Sequence, residues 1–324
     1  MHRMLPDGRR LGAHLSLANG MVRAVERAHA IGAGTLQIFA DNPSAWRRRS
    51  KPPADQAAFR DSLVAHDLGP IAIHAAYLVN LAGPDDLLFR RSIELLTAEL
   101  HAAPGFRARF VNVHVGSHRG SGVATGTSRL ADGVATVLSQ VEQGPDTTML
   151  VLENSAGSGF GLGTDVTGLA AIAEAAASRG VDRGRLGFCL DTAHAWGAGV
   201  DLANPVAIDA FLADFDARIG LDRLVMVHLN DSKAERGSHQ DRHEHLGAGQ
   251  IGEAGLAHLL RHPGLASATY YLETPGMDEG YDAVNVARAH DLAAGRPLAT
   301  LPPEAMTVPG SRARTAPREA EEPP

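Results

Sequence analysis

The run RFVNVHV, residues 109–115, decides the reading of this chain. It is short, β-branched and aliphatic, it closes on Gly116, and it delivers an imidazole, His114, at its end. The same plan recurs on either side. PIAIHA (70–75) brings His74, TMLVLEN (148–154) brings Glu153, and LGFCLD (186–191) brings Asp191 with His194 just beyond. LVMVHLN (224–230) then supplies His228 and TYYLET (269–274) supplies Glu273. LGAHLSL (11–17) and TLQIFA (35–40) bring the strand-like runs to eight. Helix-like stretches lie between them, such as MVRAVERAHAIG (21–32), RRSIELLTAELHA (90–102) and VTGLAAIAEAAASRG (166–180), the last closing on Gly180 as a C-cap.

Strands alternating with helices imply parallel pairing through right-handed crossovers. Eight such units in 324 residues predict an α/β fold, a (β/α)8 TIM barrel forming one domain over residues 1–301. A doubly wound open sheet is the competing architecture, but it gathers functional groups at one crevice. Here they come from most of the strands, and a barrel brings all C-terminal strand ends to one mouth. Residues 302–324, rich in proline with mixed charge and no apolar period, read as a disordered tail.

Composition narrows the function. Hydrophobic residues make up 44% and charged ones 21%, which is globular. No apolar run reaches membrane-spanning length, and MHRMLPDGRR lacks a signal-peptide core, so a cytoplasmic monomer without a membrane partner is expected. The single cysteine, Cys189, excludes an internal disulfide and reads as a small buried hydrophobe rather than a zinc thiolate. A net charge of −7 argues against a surface that attracts polyanions everywhere, while leaving room for a local basic groove.

QDRHEHLGAG (240–249) adds Asp241 and His243, whose D-x-H spacing puts both side chains on one side of an extended segment. Each group has a bland reading. A strand histidine is usually a satisfied structural residue, Asp191 in DTAH suits a helix N-cap, and DRHEH suits a solvated charge run. Gathered at one mouth, nine ionisable groups are costly unless paired or holding metal. Imidazole with carboxylate suits zinc, and also accepts manganese or iron.

The ordered set GAHLS (12–16), HAAYLVNL (74–81), NVHVGSH (112–118), LENSAG (152–157), CLDTAHAWGAGVD (189–201), HLNDSK (228–233), DRHEHLGAGQIG (241–252) and LETP (272–275) closely resembles the endonuclease IV family. Those proteins are zinc-dependent apurinic/apyrimidinic (AP) endonucleases on a (β/α)8 barrel, and the likeness runs from about residue 11 to about 290. The resemblance implies three zinc ions. His74 and His114 would hold one, with Glu153 bridging to a second completed by Asp191, His228 and Glu273; His194, Asp241 and His243 would hold the third. It implies double-stranded DNA containing abasic sites as partner, and cleavage 5′ to the lesion with Glu153 as the catalytic carboxylate. Trimming of blocked 3′ ends is a secondary activity of the family.

The same resemblance assigns DNA contacts to Tyr77 and Leu78 and, through the pattern FxxNxxxW, to Asn42. Ser44 stands where some members have arginine, and Ala75 and Ala76 where some have polar residues. Arg47, Arg48 and Arg49 follow, and read either as phosphate or groove contacts or as a solvated helix start. His14 and His118 read as groups orienting ligands or phosphate, or as structural, and His245 carries no assigned role. Two other readings stand beside this one: a sugar isomerase on a related barrel, and a lesion-binding protein without turnover. An isomerase has no need of the third set, His194, Asp241 and His243.

Overall fold

The computed structural model describes residues 4–308 apart from 143, 145, 146 and 278. Eight parallel strands close into a barrel: β1 (Leu11–His14), β2 (Thr35–Ile38), β3 (Ile71–His74), β4 (Ala108–His114), β5 (Met149–Glu153), β6 (Leu186–Asp191), β7 (Leu224–His228) and β10 (Thr269–Leu272). Neighbours in the chain are neighbours in the ring, and β10 returns to β1, so no edge is left open. Between β7 and β10 a small antiparallel hairpin pairs β8 (Asp231–Ser232) with β9 (His243–Glu244).

The outer helices are α1 (Met21–Ala30), α2 (Gln56–Ala65), α3 (Asp86–Ala102), α4 (Val123–Ser139), α5 (Val166–Ala177), α7 (Pro205–Arg218), α8 (Gly252–Arg261) and α9 (Asp282–Ala294), with a short α6 (Thr192–Ala198) directly after β6. Their starts follow capping chemistry. Asp85 accepts from the amides of Leu87 and Leu88, Asp165 from Gly168, and Asn204 from Val206 with Pro205 in the first turn. The expected stop at Gly180 is displaced slightly: α5 ends at Ala177, and Gly180 takes a left-handed φ of 79° in the turn that follows.

Side chains alternate along a strand, so the residue two positions before each mouth residue faces the same way. That parity separates plug from site. Ala72, Phe110, Val151, Cys189, Met226 and Tyr271 form one buried apolar cluster. Two residues farther along the same strands stand His74, Asn112, Glu153, Asp191, His228 and Glu273. On β1 the lower position is Gly12, where a Cβ would lie 2.0 Å from the carbonyl oxygen of Thr35. The barrel interior is thus a filled apolar floor beneath a ring of polar groups.

Residues expected to start the tail are packed. Pro303–Thr307 form a 3-10 turn in which Ala305 is buried, and its carbonyl accepts from His245 Nε2 at 3.0 Å. The rest of the expected tail, 309–324, lies outside the described residues. Among the described residues no helix is long and apolar enough to cross a membrane.

Candidate metal centre

Glu153 sits at the middle of the mouth, fully buried, with imidazoles facing both of its oxygens. His74 Nε2 and His114 Nε2 each lie 3.5 Å from Oε2, while His194 Nδ1 and His228 Nδ1 lie 3.2 and 3.3 Å from Oε1. His228 Nδ1 is also 3.3 Å from Glu273 Oε2 and 3.9 Å from Asp191 Oδ2. On the far side, Asp241 lies 3.3 Å from His194 Nε2 and 3.0 Å from His243 Nε2, and His243 Nε2 is 3.6 Å from Asp191 Oδ2. The side chains fall into three groups able to share an ion: His74, His114, Glu153; Glu153, Asp191, His228, Glu273; and Asp191, His194, His243. The last of these is the expected third set with Asp191 in the place of Asp241, which borders both of its histidines.

Imidazole tautomers bear on whether these groups suit a metal. A ligating imidazole presents one bare nitrogen and fixes the other by donating its proton. His74 Nδ1 donates to the carbonyl of Ala75 at 2.8 Å, His194 Nδ1 to that of Asn154 at 3.0 Å, and His243 Nδ1 to that of Glu273 at 2.8 Å. His228 is held the other way round, with Nε2 donating to Gln37 Oε1 at 2.9 Å. In each case the free nitrogen points into the cluster. Glu153 Oε1, His228 Nδ1 and His243 Nε2 are buried without a hydrogen-bond partner among the described residues. Buried polar atoms are seldom left that way. Ligands about 2.0–2.1 Å from one tetrahedral ion lie about 3.3 Å apart, close to the separations seen here. The donor set fits a divalent metal.

Without metal, protons and carboxylates would share the site. Burial pushes Glu153 upward, but His114, His228 and His194 outweigh it and hold the carboxyl well below its usual range. Burial would lower His243, yet Asp241 and Asp191 raise it to about 10, and His194 is raised well above its ordinary value by Asp191 and Asp241. Metal binding must expel such protons.

The strand-end origin explains most of the geometry, and the remaining ligands are braced locally. Asp191 does cap α6, accepting from the amide of His194 through Oδ1 at 2.7 Å, and it still turns Oδ2 toward the cluster. The capping and ligand readings of Asp191 are therefore compatible. Asp241 lies at the end of the hairpin loop and His243 opens β9, while Asp231 on the paired β8 braces the segment that follows β9 by accepting from the amides of Gly247, Gly249 and Ile251 at 2.9, 3.0 and 2.9 Å. His245, two positions on, turns inward to Asn285 and Ala305 instead.

A collar of amides around the ligands was not singled out from sequence. Asn112 Nδ2 donates to Glu153 Oε2 at 2.5 Å, Gln37 Nε2 to Glu273 Oε1 at 2.7 Å, and Asn230 Nδ2 to Asp191 Oδ2 at 2.8 Å. The available signal was a lone amide inside an apolar strand, such as Gln37 in TLQIFA, two positions after another inward-facing residue. His14 belongs to this shell, 3.4 Å from Glu273, whereas His118 accepts from the amide of Gly122 within its own loop.

The expected DNA-contacting residues lie on loops around the mouth. Tyr77 is 54% exposed, with its ring 5.1 Å from Phe39 and 6.0 Å from His74. Leu78 is half-buried against the core, so of this pair Tyr77 is the one turned outward. Asn42 is exposed, and its Oδ1 accepts from the amide of Ser44. The basic triplet departs from expectation. Arg48 turns inward, 2.9 Å from Glu99 and donating to the carbonyl of Asn42 at 2.8 Å, while Arg49 pairs with Asp41 at 3.3 Å. Glu99 also accepts from the amide of Ala76, so this ion pair ties the loops after β2 and β3 together. Burial, opposed by Arg48, pushes Glu99 up to about 7. Of the three arginines, Arg47 is left facing solvent without such a pairing among the described residues.

One more His/Asp group lies outside the mouth, where Asp209 on α7 meets His258 and His262 at the end of α8. His262 Nδ1 accepts from the amide of Gly264, so its neutral ring carries the proton on Nε2 and offers it to Asp209 rather than a lone pair to a metal.

Comparison with known proteins follows the same line. The family profile described as xylose isomerase-like TIM barrel matches residues 25–295. The probable endonuclease 4 of Halothermothrix orenii is 38% identical over 86% of this chain and 99% of its own length. That of Halobacterium salinarum is 40% identical over 88% and 100%. Among solved structures, endonuclease IV from Thermus thermophilus superposes with a TM-score of 0.75 at 36% identity, covering 88% of this chain and 99% of that one. A D-tagatose 3-epimerase-like protein shares the fold alone, with a TM-score of 0.62 at 16% identity. With identity near two-fifths over almost the full length of such relatives, this chain belongs to the endonuclease IV family.

Proposed function

We propose that this protein is a metal-dependent AP endonuclease of base-excision repair. It hydrolyses the DNA phosphodiester 5′ to an abasic site and leaves a 3′-hydroxyl and a 5′-deoxyribose phosphate. The observation that carries this reading is the joining of His194, Asp241 and His243 to the cluster around Glu153, which makes the donor set larger than a sugar isomerase requires. His74 and His114 with Glu153 would hold one ion, Glu153, Asp191, His228 and Glu273 a second, and His194, Asp241 and His243 a third. Zinc suits these donors, and manganese or iron can substitute. When bound, such ions polarise phosphate oxygens, lower the pKa of water and neutralise charge that develops on the leaving oxygen.

The chain's own contribution is orientation. Glu153 divides its oxygens, Oε2 toward Nε2 of His74 and His114 and Oε1 toward Nδ1 of His228, which suits a carboxylate serving two ions. Asn112 holds Oε2 in place and keeps the carboxylate from rotating. His114, with 44% of its side chain exposed, marks the side from which substrate and water arrive. Tyr77, Leu78 and Asn42 would engage double-stranded DNA, Tyr77 entering the gap left by the missing base. The same site would trim blocked 3′ ends. The protein would act as a monomer in the cytoplasm.

Duplex DNA carrying one abasic analogue tests the reading. We expect one cut, 5′ to the lesion, with a 3′-hydroxyl end. A cut 3′ to the lesion, or none by protein holding its full metal complement, would overturn it.

A further inference from the structure

Loops following three neighbouring strands, β3, β4 and β5, line a cavity of about 250 Å³ that includes His74 and His114. Tyr77 comes from the first loop, Arg119 from the second, and Ser158 and Gly161 from the third. The second and third are laced together. Ser117 bridges Gly161, His118 donates its amide to the carbonyl of Phe160 at 3.1 Å, and Leu162 donates to that of Gly116 at 3.0 Å. The lacing carries two residues into the left-handed region, Arg119 at φ 45° and Phe160 at φ 67°. Residues with a β-carbon are strained there, and such strain concentrates at functional sites.

Loop packing does not account for either side chain. The Phe160 ring leans on His118 at 5.3 Å between centroids, yet 61% of the residue is exposed. Arg119 is exposed and pairs with no carboxylate among the described residues, although the protein as a whole is acidic. An open aromatic face and an unpaired guanidinium carried by two laced loops, at the rim of a phosphodiester-cleaving centre, suit a nucleotide: a base for the ring and a phosphate for the cation.

We propose that Phe160 and Arg119 form a nucleotide clamp on the rim of the metal centre, with Phe160 stacking on a base beside the lesion and Arg119 contacting the adjoining phosphate. The inference rests on the chain acting on abasic DNA. An abasic site takes one base out of the stack and leaves its neighbours a bare face, so the ring gains more on damaged DNA than on intact duplex.

The test uses metal-loaded protein, a duplex with one tetrahydrofuran abasic analogue, and its intact counterpart. Phe160→Ala should raise KM and the Kd for the abasic duplex about tenfold, within the range of base–aromatic stacking, with kcat moving less than twofold. Binding to intact duplex should fall less, and Phe160→Trp should restore the wild-type values. Phe160→Gly relieves the backbone strain, so it should melt no lower than wild type and still bind like the alanine variant; a merely structural ring predicts neither. Arg119→Ala should weaken both duplexes alike and lower the slope of log K against log salt by about one. Alanine and glycine variants within twofold of wild type in KM and Kd would overturn the clamp. Wild-type protein that binds abasic duplex without cutting it, with the Phe160→Ala binding deficit intact, would sink the endonuclease reading and leave the clamp standing.

Discussion

The strand ends and the loops beyond them are built to opposite specifications. His74, Glu153, Asp191 and His228 are buried on β3, β5, β6 and β7, and the two imidazoles among them have their second nitrogen fixed by a carbonyl. Asn42, Tyr77, Arg119 and Phe160 stand exposed on loops. Charge-handling chemistry needs groups held to within about half an ångström, which strands and hydrogen-bonded collars provide. A surface that receives DNA must offer open faces, and loops on a rigid scaffold do so. Asp241 and His243 fall between the two: they lie outside the barrel, at the end of the hairpin loop and on β9, and are steadied by the pairing of β9 with β8.

This division can be broken or sharpened by substitution. Glu153→Gln should have the largest effect, lowering incision by roughly 10³-fold or more, as when a group aimed at transition-state charge is removed, while abasic-duplex binding persists in a gel-shift assay. A near-normal cutting rate would show that the buried carboxylate is not central. His243→Ala comes next: metal analysis should find one ion fewer per chain, and kcat should drop about a hundredfold, at the lower end of what loss of one group that stabilises transition-state charge costs. Asn112→Ala leaves every ligand in place but frees Glu153, so metal affinity or kcat should fall by roughly 10- to 100-fold. A null effect there would reduce the amide collar to packing. Tyr77→Ala should be mildest, raising KM about tenfold with metal content and kcat close to wild type.

Protonation offers a further contrast between the two regions. In metal-free protein burial would lower His243, yet Asp241 and Asp191 raise it from its ordinary 6.5 to about 10. The imidazolium paired with Asp241 therefore stabilises the fold fully below pH 6.5, and that contribution is lost as pH rises toward 10. Chelated protein should lose thermal stability across that window. Metal-loaded protein, whose ring is neutral throughout, should hold its Tm. Equal pH profiles for the two forms would mean that this ring does not exchange a proton for a metal.

The barrel was legible because each strand carries its own signal: a short apolar run that ends in a ligand-type group. The expected runs overshoot, as with 11–17 against Leu11–His14, because residues past the mouth leave the ladder to build loops. The ligand-type residues at strand ends could be named from sequence for the same reason. Asn112 and Gln37 escaped notice because an amide stands out only when its partner is known, and Glu153 lies on another strand and Glu273 just past one. Arg48 looked like a phosphate contact until the fold brought Glu99 from α3 against it. Phe160 was missed altogether, since neither its backbone strain nor its exposure is written in GSGFGLG.

The most direct test of the central claim, that this cluster holds the metals on which DNA cleavage depends, is a titration. Protein stripped by chelator is titrated back with zinc, and bound metal and 5′ incision of abasic duplex are measured on the same samples. The account predicts no incision from metal-free protein and full recovery only as the third equivalent binds. Incision by the metal-free chain, or full activity at one equivalent, would contradict it.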